Sequence, residues 1–184
     1  MGAIMRSDGS MYDLSPVSLE EWYEIERFLM REARLFDGES QREWLREMVD
    51  PDITYQLVVR QERFRADKSA PADREVMVYD ERLANLDLRI KQFETGKQAM
   101  LDPPQVLIHV VSNIEAAPGE TSSTYRVRSY CTVHRARREY ERSSSVFEKN
   151  DVIVRAGDGR LRLRQRHITL VQRVVTDKNL LYFV

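Results

Sequence analysis

The feature that most constrains this chain is a change of hydrophobic period near residue 104. Ahead of it, apolar residues recur mainly at steps of three or four; beyond it, they alternate every second position through several long runs. The two patterns belong to different structures, because a helix presents one face every 3.6 residues and a strand every 2. The second part of the chain is therefore expected to be sheet, and the first part to supply helices that cover one of its faces.

In the first part, Ser18 followed three residues later by Glu21 has the form of a capping box. Leu19, Trp22, Ile25, Leu29, Ala33 and Phe36 then make one apolar stripe, which predicts a helix ending near Gly38. A shorter helix is expected over residues 39–48, with Trp44, Leu45 and Met48 on one side and Asp50-Pro51-Asp52 as its stop. The pair reads as an αα-hairpin. Ile53, Tyr55, Leu57 and Val59 then alternate as a strand, and the polar stretch QERFRADKSAPADREV reads as a loop. A third helix is expected from Asp80, through Leu83, Leu86, Ile90 and Phe93, to a stop at Thr95-Gly96. Residues 1–17 show no periodicity and read as a mobile or partner-ordered arm, which leaves residues 18–184 as one cone-shaped domain.

Beyond Pro104, residues 106–116 are rich in β-branched side chains and Pro118-Gly119 makes a turn. Tyr125, Val127, Ser129, Cys131 and Val133 alternate with Arg126, Arg128, Tyr130, Thr132 and His134. Residues 143–156 form the next strand, Gly157-Asp158-Gly159 a hairpin turn, and residues 160–176 the longest strand. Strict alternation there puts Arg160, Arg162, Arg164 and Arg166 on one face and Leu161 and Leu163 on the other. Helix, helix, strand, helix and then antiparallel strands predict an α+β fold, with N-terminal helices packed on a strongly curved antiparallel sheet. That order matches the cone folds typified by nuclear transport factor 2 and scytalone dehydratase, which serve enzymes, binders and structural subunits alike.

Charge is uneven. Residues 1–92 carry 14 Lys and Arg against 20 Asp and Glu, net −6, whereas residues 93–184 carry 15 against 10, net +5. The basic half is read as meeting acidic helices of this chain or a partner's acidic surface. Nucleic acid is disfavoured, because the overall charge is −1 and no aromatic residues interleave the arginines to stack bases. No apolar run approaches the roughly 18 residues that span a bilayer, and a lone cysteine gives no disulfide framework, so the cytoplasm is the expected location.

Three stretches carry a family resemblance: IERFLMREARLFDGESQREWLREMVDPDITYQLVV, DPPQVLIHVVSNIEA and DGRLRLRQRHITLVQRVVTDKNLLYFV. They resemble the small (beta) subunits of Rieske-type aromatic-ring-hydroxylating dioxygenases. The most specific pieces are Asp102-Pro103-Pro104 followed by Val111-Ser112-Asn113, and Asp177-Lys178-Asn179-Leu180 before an aromatic end. Ile108-His109 stands where members of that family often have Arg-His. The resemblance implies a cystatin-like, non-catalytic subunit that pairs with an alpha subunit and with its own copies, commonly as α3β3. It implies that the Rieske 2Fe–2S cluster and the mononuclear iron belong to that alpha subunit, with no cofactor in this chain.

The residues agree with that division of labour. A Rieske cluster takes two thiolates and two imidazoles, and this chain has one cysteine and three histidines. A mononuclear iron needs two imidazoles and a carboxylate, and His109, His134 and His167 fall on three different predicted strands. The rival reading is a cone-pocket isomerase or dehydratase using His109 or His167 with a carboxylate and with Tyr55 or Tyr130 as acid or base. Against it, His109 reads as a packed residue hydrogen-bonded within the sheet, and Glu148 and Asp151 read as strand-surface charges. Cys131 reads as a small buried hydrophobe and Trp22 and Trp44 as core anchors. No catalytic, cofactor-binding or metal-binding residue is assigned. The apolar segment 180–184 is expected to be buried in the fold or an interface, and its deletion to abolish assembly.

Overall fold

A computed structural model describes residues 16–60, 75–95, 104–172 and 182–184. Helix α1 (Leu19–Asp37) starts at the expected capping box: the Glu21 N–H donates to Ser18 Oγ at 3.2 Å and the Ser18 N–H to Glu21 Oε2 at 2.9 Å. Its buried face carries Ile25, Phe28, Leu29, Ala33 and Phe36, and also Glu32. The first turn of the predicted stripe hangs off this face, since Leu19 is 81% exposed and Trp22 only half-buried. Helix α2 (Gln41–Met48) buries Trp44 and Met48 and returns along α1 as an αα-hairpin, with Arg31 ion-paired to Glu43 and Glu47.

Strand β1 (Val49–Arg60) begins at once, so Asp50-Pro51-Asp52 lies inside a strand and does not terminate the helix. Asp50 is held there by Arg164 at 3.2 Å. Strand β2 (Glu75–Glu81) was not anticipated: the sequence reads a loop up to Val76 and a helix from Asp80, but these residues pair with β1 and helix α3 (Leu83–Glu94) starts later. β2 is an edge strand exposed along most of its length, so neither of its faces imposes the period of two that reveals a strand. Most of the polar loop, the LDP of the turn before Pro104, Gly96, the end of the predicted last strand and Leu180-Leu181 lie outside the described residues.

Strands β3 (Val106–Pro118), β4 (Thr124–Arg137), β5 (Glu141–Arg155) and β6 (Leu161–Leu170) complete a six-stranded sheet in the order β2-β1-β6-β5-β4-β3. β3 to β6 pair antiparallel as expected, but β1 pairs parallel with β6, so the sheet is mixed. Parallel pairing follows from topology, because β1 enters from the helices and joins the sheet through the strand farthest from it in sequence. The hairpin at Gly159 requires φ +79, which glycine alone adopts without strain. The helices lie over one face, and the core between them and the sheet holds Trp44, Tyr55, Phe36, Phe147 and Phe183. No described helix is long and apolar enough to cross a membrane.

One irregularity decides the chemistry of this interior. Along β6, Leu163 faces Ile153 and Gln165 faces Val152, which leaves Arg164 as an extra residue opposite no partner. Such a bulge reverses the alternation beyond it. Arg166 therefore turns to the helix side and is 1% exposed, while Arg162 and Arg164 stay near the surface. The arginine stripe expected from simple alternation is split.

Candidate functional site

The inner face carries a row in which Ala116, Val127, Asp151, Arg166 and Tyr55 are neighbours on successive strands. Asp151 and Arg166 are 3% and 1% exposed, and beside them lie Lys149 from the same face of β5 and Glu32 from α1. Two carboxylates and two cations are thus enclosed together. The Arg166 guanidinium uses all five of its N–H groups. Nε and Nη2 donate to Asp151 at 2.9 and 2.8 Å, Nη1 and Nη2 to Glu32 at 2.8 Å each, and Nη1 also to the Val184 oxygen at 2.9 Å. Lys149 Nζ donates to Glu32 Oε2 at 3.3 Å and Trp44 Nε1 to Glu32 Oε1 at 2.9 Å.

Burial by itself pushes the Glu32 carboxyl up, but the charges of Arg166 and Lys149 and the hydrogen bonds from Arg166 and Trp44 outweigh it and hold it at about 2. Burial lowers the tendency of Arg166 to keep its proton, and the charges of Asp151 and Glu32 more than restore it, so its pKa lies well above the usual range. Each acid of the cluster is thus paired with a cation and hydrogen-bonded to it, the condition under which buried charge is tolerated.

The same network grips the last three residues, which are 3%, 1% and 2% exposed. Tyr55 Oη donates to the Val184 oxygen at 2.7 Å and accepts from the Val184 N–H at 3.1 Å. Arg89 of α3 donates to the Tyr182 carbonyl at 3.3 Å. His109 of β3 places Nε2 2.9 Å from the Phe183 carbonyl and Nδ1 2.7 Å from Asp37 Oδ1 at the end of α1. The Phe183 ring sits among Phe36, Trp44, Tyr55 and Phe93 at centroid distances of 5.4 to 6.4 Å, with the Arg89 guanidinium 4.6 Å above it. Residues from β1, α3, β3 and β6 thus converge on this end segment, as the apolar composition of residues 180–184 led one to expect for the described part.

Several sequence readings change. Asp151 is a buried partner of Arg166 and not a surface charge. His109 is packed, but its partners are Asp37 and Phe183 and not the sheet. Trp44 is a core anchor, whereas Trp22 lines a cavity. Glu148 sits on the outer face, paired with Arg128 at 2.8 Å. Cys131 is buried, and desolvation pushes its thiol up, as befits an inert small hydrophobe. Glu32 and Lys149 were missed altogether, although a lone acid inside the apolar stripe of α1 and a lone lysine on the inward parity of β5 were the available signals.

The outer face carries different rows: Glu115, Arg128, Asn150 and His167, then Ala117, Arg126, Val152 and Gln165. These rows, with Pro16, Trp22 and Ile114 and with Ala116, Val127 and Asp151 of the neighbouring row, bound a cavity of about 530 Å³. His167 lines it, and Glu75 Oε2 is 3.6 Å from its Nε2. His134 is exposed, beside Ile108, and Tyr130 Oη accepts from Arg128 at 2.8 Å. The three histidines therefore point to three separate surroundings, and no described group of three or more His, Cys, Asp and Glu has a metal-binding arrangement.

Comparison with known proteins places this geometry. The family model described as ring hydroxylating beta subunit matches residues 31–177. A chain of naphthalene 1,2-dioxygenase, solved with indole in its active site, superimposes with a TM-score of 0.85 at 23% identity, over 92% of this chain and 89% of that one. The beta subunit of benzoate 1,2-dioxygenase from Burkholderia mallei gives 0.68 at 17% identity, over 92% and 99%. A Novosphingobium aromaticivorans protein assigned as a scytalone dehydratase gives 0.57 at 15%, over 84% and 86%, so the cone fold is shared more widely than any one activity.

Proposed function

The chain belongs to the ring-hydroxylating beta subunit family, and from that membership and the geometry above we propose that it is the structural, non-catalytic subunit of an aromatic-ring-hydroxylating dioxygenase. It supports assembly with an iron-bearing alpha subunit, in an α3β3 complex of the cytoplasm that serves aromatic catabolism. The observation that carries this reading is how the interior spends its reactive groups. Glu32, Lys149, Asp151, Arg166, Tyr55 and His109 are committed to one another, to Asp37 and to the Phe183 and Val184 main chain, so the buried acids and bases hold the fold closed.

The donor set supports the same division. A Rieske centre takes two thiolates and two imidazoles, and the single thiol here, Cys131, is buried with its pKa raised. A facial triad needs two imidazoles converging on a carboxylate, and His109 is already engaged by Asp37 while His134 and His167 lie on the outer side. These residues fit neither iron centre, which supports placing both in the alpha subunit.

Co-expression with an iron-bearing alpha subunit, followed by sizing and metal analysis of each component, tests the proposal. The expected result is a hetero-oligomer whose iron purifies wholly with the alpha subunit. Stoichiometric iron in this chain purified alone, or substrate turnover by it unaided, overturns the reading.

A further inference from the structure

Strands β4 to β6 carry nine arginines, and most of them meet a carboxylate. Among the described residues only Arg126 and Arg142 have none. Arg142 is exposed to solvent, where a lone guanidinium is unremarkable. Arg126 is partly buried, at the wall of the 530 Å³ cavity, and its one hydrogen bond runs from Nε to the Pro118 carbonyl at 3.2 Å. Its terminal nitrogens, with four N–H groups in the planar fork that matches a carboxylate, are left over.

The rest of the cavity qualifies the ligand. Trp22, Ile114 and Val152 give it apolar walls, while Gln165, beyond Val152 from Arg126 in the same cross-strand row, and His167 add polar edges. Its two acids do not cancel the arginine: Glu115 is paired with Arg128 at 3.5 Å, and Asp151 belongs to the inner cluster. The volume falls in the range of roughly 300–1,000 Å³ typical of small-molecule sites, with an apolar majority and a few placed polar groups.

We propose that this sheet-face cavity binds a compact aromatic carboxylate, its carboxylate on the Arg126 fork and its ring against Trp22. The site is separate from the subunit's structural role and adds a ligand-binding function to it. The proposed role is binding alone.

Calorimetric titration of the full chain with biphenyl-4-carboxylate tests this, with the neutral isostere biphenyl-4-methanol as comparison. One saturable site is expected, with the alcohol at least about tenfold weaker, as befits loss of a charge-assisted fork. Arg126→Gln should weaken the carboxylate about tenfold and leave the alcohol unchanged, while Arg142→Gln alters neither. Val152→Trp, which fills the cavity beside Arg126 and keeps the guanidinium in place, should abolish both. Circular dichroism establishes that each variant is folded. Absence of saturable binding, equal binding of acid and alcohol, or undiminished binding by folded Arg126→Gln or Val152→Trp overturns the proposal. None of these outcomes bears on where the iron resides, so this proposal and the subunit assignment fail separately.

Discussion

Arg166 and Arg126 stand on the same sheet, and the contrast between them separates its two faces. Arg166 is 1% exposed, with five donors on five acceptors, and joins β6, β5, α1 and the Val184 main chain in one network. Arg126 lines an open cavity with no described carboxylate against it. A single extra residue at Arg164 makes the difference for Arg166, since without the bulge both would face outward. The inner face uses charge to fix geometry, and on the outer face Arg126 keeps its charge available. The family assignment explains why that arrangement suits the molecule: an assembly subunit needs a rigid interior and a surface free to bind.

The contrast is broken most directly by removing each arginine. Arg166→Met leaves Glu32 and Asp151 buried against one lysine, an uncompensated interior charge that should destabilise the fold by about 3–5 kcal/mol. Arg126→Gln should stay within about 0.5 kcal/mol of the parent, as for a surface group outside any network. Urea unfolding followed by tryptophan fluorescence measures both. Equal costs would mean that the bulge does not divide the sheet as described. A variant with apolar residues at Glu32, Lys149, Asp151 and Arg166 together should recover most of the loss, because buried ion clusters are weakly stabilising compared with well-packed apolar side chains.

Acid provides the second test. Glu32 is held at about 2 in the fold, against 4.5 when exposed. A depressed carboxylate contributes stability that is fully present above 4.5 and lost as the pH falls through the folded value. The interval between 4.5 and 2 corresponds to about 3 kcal/mol. The denaturation midpoint of the parent should fall over that interval. The charge-neutral variant Glu32→Gln, already weakened at pH 7, should lose less over the same interval. Parallel acid profiles for the two proteins would remove Glu32 from the explanation.

How much of this was legible in the sequence follows from what periodicity can carry. The capping box at Ser18, the αα-hairpin, the β4 alternation and the burial of Tyr182, Phe183 and Val184 are local or compositional features, and the residues declared them. The parallel β1–β6 pairing is long-range, and β2 has little buried face to signal it. The bulge was invisible because Arg160, Arg162, Arg164 and Arg166 alternate perfectly in sequence, and only the cross-strand register shows that one of them is extra. The misplacement of Arg166 descends from that one residue, whereas Asp151 already lies on the inward parity of β5 and was read as a surface charge because its buried partner was not foreseen. Trp22 was misplaced for a different reason: the helical stripe continues into a first turn that borders a cavity and not the core.

Two tyrosines sharpen the comparison at smaller amplitude. Tyr55 is buried on the inner face, where burial pushes its hydroxyl well above the usual phenol range despite Arg166 nearby. That hydroxyl both donates to the Val184 oxygen and accepts from the Val184 N–H. Tyr55→Phe leaves the Val184 oxygen to Arg166 but strands a buried N–H, so a loss of about 1–2 kcal/mol is expected. Tyr130 lies on the outer face, and its hydroxyl only accepts from Arg128, which keeps Glu148 as a partner. Tyr130→Phe should therefore change stability by no more than about 0.5 kcal/mol. Hydrogen exchange of the Val184 amide provides the local readout: faster exchange in Tyr55→Phe and no change in Tyr130→Phe would tie the end segment to the inner face. If instead both substitutions were silent in stability and exchange, the aromatic packing around Phe183 would suffice to hold the segment, and the hydrogen bonds to it would be consequences of its burial and not causes.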